Sequence, residues 1–319
     1  MKNILITGGL GFIGFNAVRR WTEQGLGNIC VVDSKTYAAH FLLKEKLDYL
    51  KQNGINCLEI DISADGSYGK ILSFAAFHDV DTIVNFAAES HVDNSITGPT
   101  AFFRSNVVGT ANMLEVAMNI GARFHQVSTD EVYGVTTPMD KTQDFLLCPT
   151  SPYAASKAGA DEAVMSFVRT YGLFATISRC SNNFGPWQHP EKLIPKAIST
   201  LLSGGKVPVY GDGSNIRQWI PVDDHVDAIK DILLDGTNGG IYNVSSNCAG
   251  YISNNEMVNI LADLCGRGND PKDFIEYVED RKAHDQSYYI EDFRNRQVSS
   301  DDIDDCLKKT VEWYKENLP

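Results

Sequence analysis

No CxxC pair occurs in these 319 residues, and the seven cysteines, at 30, 57, 148, 180, 248, 265 and 306, are scattered and odd in number. That pattern argues against a disulfide framework and a zinc site, leaves no metal among the expected ligands, and makes a reducing, cytoplasmic setting the expectation. No apolar run reaches the ~18–20 residues that span a bilayer. Met1-Lys2-Asn3 leads straight into Ile4-Leu5-Ile6, so the start reads as structure and not as a signal peptide. Positive charge is also scarce. Lys and Arg number 28 against 41 Asp and Glu, a net charge of -13, which disfavours nucleic acid or an anionic membrane as a partner. A phosphorylated ligand must therefore be held by local devices, since the global field repels it. There is no internal repeat and no low-complexity segment.

What the chain does have is alternation. Asn3–Thr7, Ile29–Asp33, Cys57–Asp61, Asp81–Phe86, Arg123–Ser128 and Phe174–Ser178 read as buried strands. Amphipathic segments lie between them, including Phe12–Gln24, Thr100–Ile120 and Pro152–Tyr171. Strand and helix in turn predict an α/β fold with a Rossmann-type doubly wound parallel sheet. After Ser178 the rhythm loosens. A helix is expected at about 192–203, a short strand at Pro208–Tyr210, a returning helix at Val222–Leu234 and a last helix at 302–317. The expected division is 1–178 plus about 213–241 for the sheet domain, and about 179–212 plus 242–319 for a smaller α/β substrate-binding lobe.

Strand Asn3–Thr7 runs into Gly8-Gly9-Leu10-Gly11-Phe12-Ile13-Gly14 and then a helix. Gly9, Gly11 and Gly14 satisfy G-x-G-x-x-G, and Gly8, Gly11 and Gly14 the wider G-x-x-G-x-x-G. Such glycines permit a tight turn and let a pyrophosphate reach the backbone at a helix N-terminus. Asp33 closes the second strand about 20 residues on, where an acid meets the adenosine ribose hydroxyls. A carboxylate accepts from a free diol and repels a 2′-phosphate, so NAD is expected over NADP, with Lys35 a mild dissent. Asp61 and Ile62, ending another strand, are candidate adenine contacts.

The most specific signal is Ser128-Thr129-Asp130-Glu131, followed by Tyr153-Ala-Ala-Ser-Lys157. Tyr153 and Lys157 lie one helical turn apart and share a face. An ammonium and a nicotinamide charge would lower the tyrosine pKa and make it a base for a sugar hydroxyl. Asp130 and Glu131 add a separate acid and base, so such a site can expel water as well as move a hydride.

With Ala87-Ala-Glu-Ser-His-Val-Asp93, Ser128-Thr-Asp-Glu-Val-Tyr-Gly134, Ser181-Asn-Asn-Phe-Gly-Pro186 and Pro190-Glu-Lys-Leu-Ile-Pro195, the chain resembles the nucleoside-diphosphate-glucose 4,6-dehydratases of the extended short-chain dehydrogenase/reductase superfamily. The likeness runs nearly end to end, and the Asp-Glu pair is what sister epimerases and decarboxylases lack. It implies that Tyr153 deprotonates the carbon-4 hydroxyl, Glu131 takes the carbon-5 proton, Asp130 protonates the leaving carbon-6 hydroxyl, and Thr129 hydrogen-bonds the carbon-4 oxygen. It further implies NAD contacts at Phe12, Ile13, Ser34, Lys35, Thr36, Phe86, Ala87, Ala88, Ser90, Ser105, Lys157 and Asn183. The nucleoside diphosphate falls to Ser90, Asn182, Lys192, Leu193, Pro208, Tyr210, Arg217, Asn243, Arg281 and His284, with Arg217 and Arg281 as diphosphate partners. A homodimer through a four-helix bundle is implied as well.

Three departures touch the nucleotide side. Asn94 stands where dTDP-glucose enzymes usually carry Arg, Ser287 stands at another usual Arg, and the segment after Tyr289 is abbreviated. Asn94 tilts the reading slightly to UDP-glucose, while Cys180-Ser-Asn-Asn183 is of the dTDP type. The rival readings are a nucleotide-sugar 4-epimerase or decarboxylase on the same fold, and a silent NAD-binding protein. A silent relative should have lost a member of the Thr129, Asp130, Glu131, Tyr153 and Lys157 set, and this chain keeps all five.

Overall fold

The structure is a computed structural model that describes residues 1–138, 146–246, 251–268, 270–280, 282, 284–294 and 300–318. Its strands are β1 (Asn3–Thr7), β2 (Asn28–Asp33), β3 (Asn56–Glu59), β4 (Thr82–Asn85), β5 (Arg123–Thr129), β6 (Ala175–Cys180), β7 (Asn182–Phe184), β8 (Val207–Tyr210), β9 (Ile216–Pro221), β10 (Ile241–Val244), β11 (Tyr251–Ser253) and β12 (Ile275–Val278). The helices of the first half are α1 (Phe12–Glu23), α2 (Leu43–Gln52), α3 (Ser67–Phe77), α4 (Val92–Thr97), α5 (Pro99–Phe103), α6 (Gly109–Ile120) and α7 (Pro152–Tyr171). Those of the second half are α8 (Leu193–Leu202), α9 (Val222–Asp235), α10 (Asn254–Leu264), α11 (Pro271–Phe274) and α12 (Ser300–Asn317).

The main sheet has the order β10-β6-β5-β4-β1-β2-β3, and every pairing in it is parallel. Chain order reverses between β1 and β4, which opens a crevice at their carboxyl ends. Strand alternation fills both faces. Leu5, Val32 and Ile83 pack with Met113, Phe124 and Val164 on one side. Ile4, Ile6, Val31 and Val84 pack with Val18, Trp21, Val226 and Ile229 on the other. Burying each such side chain stabilises the fold by about 1.5–3 kcal/mol. The small lobe has its own core, in which Phe184, Ile198, Trp219, Leu261, Phe274, Leu307 and Tyr314 meet.

Three elements differ from the sequence expectation. Strand β10 pairs with β6 and completes the main sheet, although residues from 242 onward were expected in the small lobe. Conversely, β9 pairs with β7 and β11 in a three-stranded sheet outside the main one. The expected helix over 100–120 is interrupted: a π turn at Arg104–Val108 separates α5 from α6. The extra residue of such a turn rotates the next helical segment about its axis, so that Asn106 is buried while Val108 is 48% exposed. Of the apolar residues on the segments 100–120 and 152–171, Phe102, Met113 and Val164 lie buried within this chain. No helix among the described residues is long and apolar enough to cross a membrane.

Candidate active site

The glycine turn is built by contact. Gly8 has φ +66, and a Cβ there would meet the Ala87 backbone nitrogen at 2.7 Å. A Cβ at Gly14 would fall 2.2 Å from the Gly8 carbonyl oxygen, whereas the Gly11 N–H donates to that same oxygen at 3.0 Å. Among the described residues no side chain caps α1 at Gly11, so its first-turn N–H groups stay available to an anion. Phe12 and Ile13 open the helix, half-buried.

Asp33 ends β2, buried, with its two carboxylate oxygens accepting from the Leu10 N–H at 2.9 Å and the Lys35 N–H at 2.7 Å. Burial raises its pKa, and the N–H groups and nearby lysines oppose that. The Lys35 side chain pairs with Glu59 at 2.5 Å. A groove at the crevice is lined by Gly8, Gly11, Asp33, Ser34, Thr36, Asp61, Ile62, Phe86, Ala87, Ala88, Glu89 and Ser105, all within the stretches expected from sequence, together with Val32, Ala38, Ala39 and Ile60, which were not. Asp61 accepts from the Ser63 N–H and hydroxyl, both at 2.8 Å. A glycine cradle closed to any Cβ, an uncapped helix and an acid at the next strand end fit a dinucleotide, and NAD is the form that the Asp33 carboxylate suits.

Next to β4 in the sheet, β5 delivers Thr129 into a short 3₁₀ turn, Asp130–Tyr133. The Thr129 hydroxyl accepts from the Glu131 N–H and donates to Asp130 Oδ1, each at 3.2 Å. Ser151 caps α7 by accepting from the Ala154 N–H at 3.0 Å, with Pro152 in the first turn. This cap fixes where the helix starts and sets Tyr153 in its opening turn, hydrogen-bonded to Thr129. One turn later Lys157, buried, donates to the Val127 carbonyl at 2.6 Å. The five residues of the expected catalytic set are thus brought together.

Asp130 is 2% exposed, and its Oδ2 has no hydrogen-bond partner among the described residues. Burial, then the charge of Glu131, pushes its pKa up to about 8, so the carboxyl holds a proton at neutral pH. At Tyr153 the protein's own groups act upward, before any nicotinamide charge. Burial and the Glu131 charge hold its pKa well above 10, and the Thr129 hydrogen bond only partly opposes them. Desolvation of a phenolate in this pocket outweighs the attraction expected from Lys157.

The expected substrate residues are more dispersed. Asn182 lies on β7, Leu193 opens α8, and Pro208 and Tyr210 lie on β8. Tyr210 donates to Asp93 at 3.4 Å, and Lys192 to the Ser90 carbonyl at 3.2 Å, which ties the small lobe to the loop after β4. His284 contacts Asp280 at 2.7 Å. Asn183 accepts from the His225 ring at 2.8 Å through its Oδ1. Arg217 is buried, donating to the carbonyls of Ile216 and Asp285 at 2.7 and 2.9 Å above the Tyr288 ring. Its charge also reaches Asp130. Asn243 accepts from the Tyr133 hydroxyl at 2.8 Å. Arg281 lies outside the described residues.

Two buried groups were not singled out from sequence. Lys46 of α2 donates to the Leu10 carbonyl at 2.9 Å from beneath the glycine turn. Asp161 of α7 pairs with Arg179 of β6 at 2.9 Å. Both sit on helices whose charged residues read as a solvated face, so neither carried a local signal.

A doubly wound sheet with a glycine cradle at its switch point and a Tyr–Lys pair beside an acidic turn defines a nucleotide-dependent enzyme of the short-chain dehydrogenase/reductase class. The chain belongs to the NAD dependent epimerase/dehydratase family, whose model matches residues 4–245. It is 40% identical to the low-salt glycan biosynthesis protein Agl12 of Haloferax volcanii, over 98% of each chain. It is also 40% identical to the dTDP-glucose 4,6-dehydratase of Mycolicibacterium smegmatis, over 98% of this chain and 93% of that one. Among solved structures it resembles DesIV, a dTDP-glucose 4,6-dehydratase from Streptomyces venezuelae solved with NAD bound, with a TM-score of 0.90 and 40% identity over 99% of this chain and 97% of that one.

Proposed function

We propose that this protein dehydrates a nucleoside-diphosphate-glucose to the 4-keto-6-deoxy sugar with NAD. The observation that carries the reading is the buried Asp130 carboxyl next to Glu131, at the carboxyl end of β5 and beside Tyr153, an enclosure that raises its pKa. A site that only oxidises and re-reduces carbon 4 has no use for an added acid. Elimination needs one acid and one base held apart in proton affinity.

The backbone of Gly8–Gly14 would hold the pyrophosphate of NAD, Asp33 the adenosine ribose, and Tyr153 and Lys157 the nicotinamide end. Bound there, NAD supplies a hydride acceptor for carbon 4 and a hydride donor for carbon 6. With the positive charge of bound NAD added to that of Lys157, Tyr153 would give up its own proton and take that of the carbon-4 hydroxyl, with Thr129 hydrogen-bonding that oxygen. A ketone at carbon 4 acidifies carbon 5, whose proton Glu131 removes. Asp130 gives its proton to the carbon-6 hydroxyl, which leaves as water. Glu131 then returns a proton to carbon 5, so the net change is loss of one water.

The names of the relatives favour dTDP-glucose over the slight tilt of Asn94 to UDP-glucose. Thymine differs from uracil by a methyl group, worth about 1–3 kcal/mol in an apolar pocket. Side-by-side turnover of dTDP-glucose and UDP-glucose, with the 4-keto product identified, tests the reading. We expect both to react, and absence of the keto sugar from both would refute it. We also propose a homodimer through α6 and α7. Phe103, Val108, Met118 and Tyr171, on or next to these helices, are 40–60% exposed, which supports an apolar contact face.

A further inference from the structure

Beneath the Tyr–Lys pair lies a second set of charges that the mechanism leaves unused. Asp161 follows Lys157 by one helical turn, so the two share a face of α7. Their residues are 1% and 4% exposed. On β6, the Arg179 guanidinium donates to the Asp161 carboxylate at 2.9 Å and to the Tyr133 hydroxyl at 2.9 Å. Tyr133 passes the chain on to Asn243 of β10. Three charged side chains are thus enclosed with two positive charges to one negative.

We infer that Asp161 is a positioning residue, the buried anion that keeps the Lys157 ammonium charged and facing the active end of β5. Lys157 donates its hydrogen bond to a carbonyl, that of Val127, and a carbonyl cannot neutralise it. A desolvated lysine sheds its proton unless an opposite charge lies near. The charged groups acting on it are Asp161 from its own helix and Cys180 from β6. Cys180 is itself a neutral thiol, because burial raises its pKa to about 12; burial raises the Asp161 pKa too, but Arg179 and Lys157 oppose that, so Asp161 is left as the anion. Around Asp161 the facing groups are Arg179, Lys157 and Tyr133. Arg179 divides the carboxylate's attention and anchors it to the sheet, which fixes its distance from α7.

Burial lowers the Lys157 pKa and Asp161 raises it, so removing the carboxylate makes the ammonium titrate at lower pH. The test is Asp161→Asn in the full chain, read in two ways. The first, in the absence of substrate, follows Lys157 by NMR of chain labelled at lysine Cε, the signal assigned with Lys157→Arg. We expect the midpoint to fall by about one pH unit or more. The second follows kcat/KM for the nucleotide sugar against pH; its alkaline limb, set in the parent by Asp130 and Lys157 together, should move to lower pH. If Asp161→Asn does not fold, Asp161→Asn with Arg179→Met removes both charges, and the shift should persist in reduced size. An unchanged Lys157 midpoint in whichever variant folds overturns the inference. So does a rate lowered equally at every pH, the mark of a merely structural role. Only the kinetic arm rests on the dehydratase reading. A chain inactive on every nucleotide sugar would sink that reading and leave the lysine titration to decide the role of Asp161.

Discussion

Asp130 and Glu131 are neighbours in the chain yet occupy different surroundings: Asp130 is enclosed with one oxygen unpartnered among the described residues, while Glu131 is half-buried and its N–H is held by Thr129. The 3₁₀ turn produces this split, since it directs successive side chains in different directions. Proximity of a second carboxylate and burial act together to keep Asp130 protonated.

Asp130→Asn should therefore separate activity from stability. Loss of the acid is expected to lower kcat by about 10²–10⁴. The folded carboxyl binds its proton more tightly than the unfolded one, so its contribution to stability is complete below about pH 4 and is lost as pH rises towards about 8. Asn carries no such penalty. Denaturant titrations should show the variant more stable than the parent at pH 8, by on the order of a few kcal/mol, and little different near pH 4. Equal stability at both pH values would contradict a buried, proton-holding Asp130. In the parent, turnover should decline as pH rises past about 8.

Tyr153→Phe and Glu131→Gln should fail at different steps. Without the phenol there is no base for oxidation, and no NADH absorbance should appear on adding substrate. With Glu131→Gln oxidation remains open while carbon 5 keeps its proton, so the near-ultraviolet absorbance of NADH should rise without loss of water. Matching spectra from the two variants would refute the assigned division of roles.

Gly14→Ala should cost NAD affinity. Its Cβ would lie 2.2 Å from the Gly8 oxygen, and backbone must move to admit it. Calorimetry is expected to show at least about a tenfold weaker Kd, ~1.4 kcal/mol. The control is Gly69→Ala in α3, where nothing lies within 4 Å. It should stabilise the protein by up to about 1 kcal/mol and leave NAD binding alone. Equal NAD affinity in both variants would mean that the glycine turn does not hold the cofactor.

The homodimer predicts a solution mass of twice 35.2 kDa at micromolar concentration. Val108→Glu, on the outward side of the π turn, should shift sedimentation towards the monomer, because it places a charge in an apolar contact. A parent protein already monomeric at that concentration would dispose of the proposal.

Much of this arrangement was legible in the sequence because buried parallel strands read as apolar runs and the glycine motif sits between two of them. The features that escaped notice did so for physical reasons. Strand β10 is four residues long, Ile241-Tyr-Asn-Val244, and its only fully buried member is Val244. Strand β7, Asn182–Phe184, begins with two asparagines, which local propensity assigns to a loop. The π turn at Arg104–Val108, Arg-Ser-Asn-Val-Val, holds no proline or glycine to mark a break in the helix. Asp161, Arg179 and Lys46 are visible as functional candidates only after the sheet brings their partners from far along the chain.

The place of β10 also bears on how the molecule is made. Ile241–Val244 pair with Ile177–Cys180 across an intervening stretch that includes the small-lobe strands β7, β8 and β9. Until the ribosome has released that stretch, β6 is a bare edge offering unpaired N–H and C=O groups to any extended chain nearby. A nascent or truncated protein ending before residue 241 would carry the whole coenzyme cradle and much of the acid–base turn, yet with a sticky border where Asn243 should meet Tyr133. Such an edge exposes the unfinished chain to aggregation until β10 arrives.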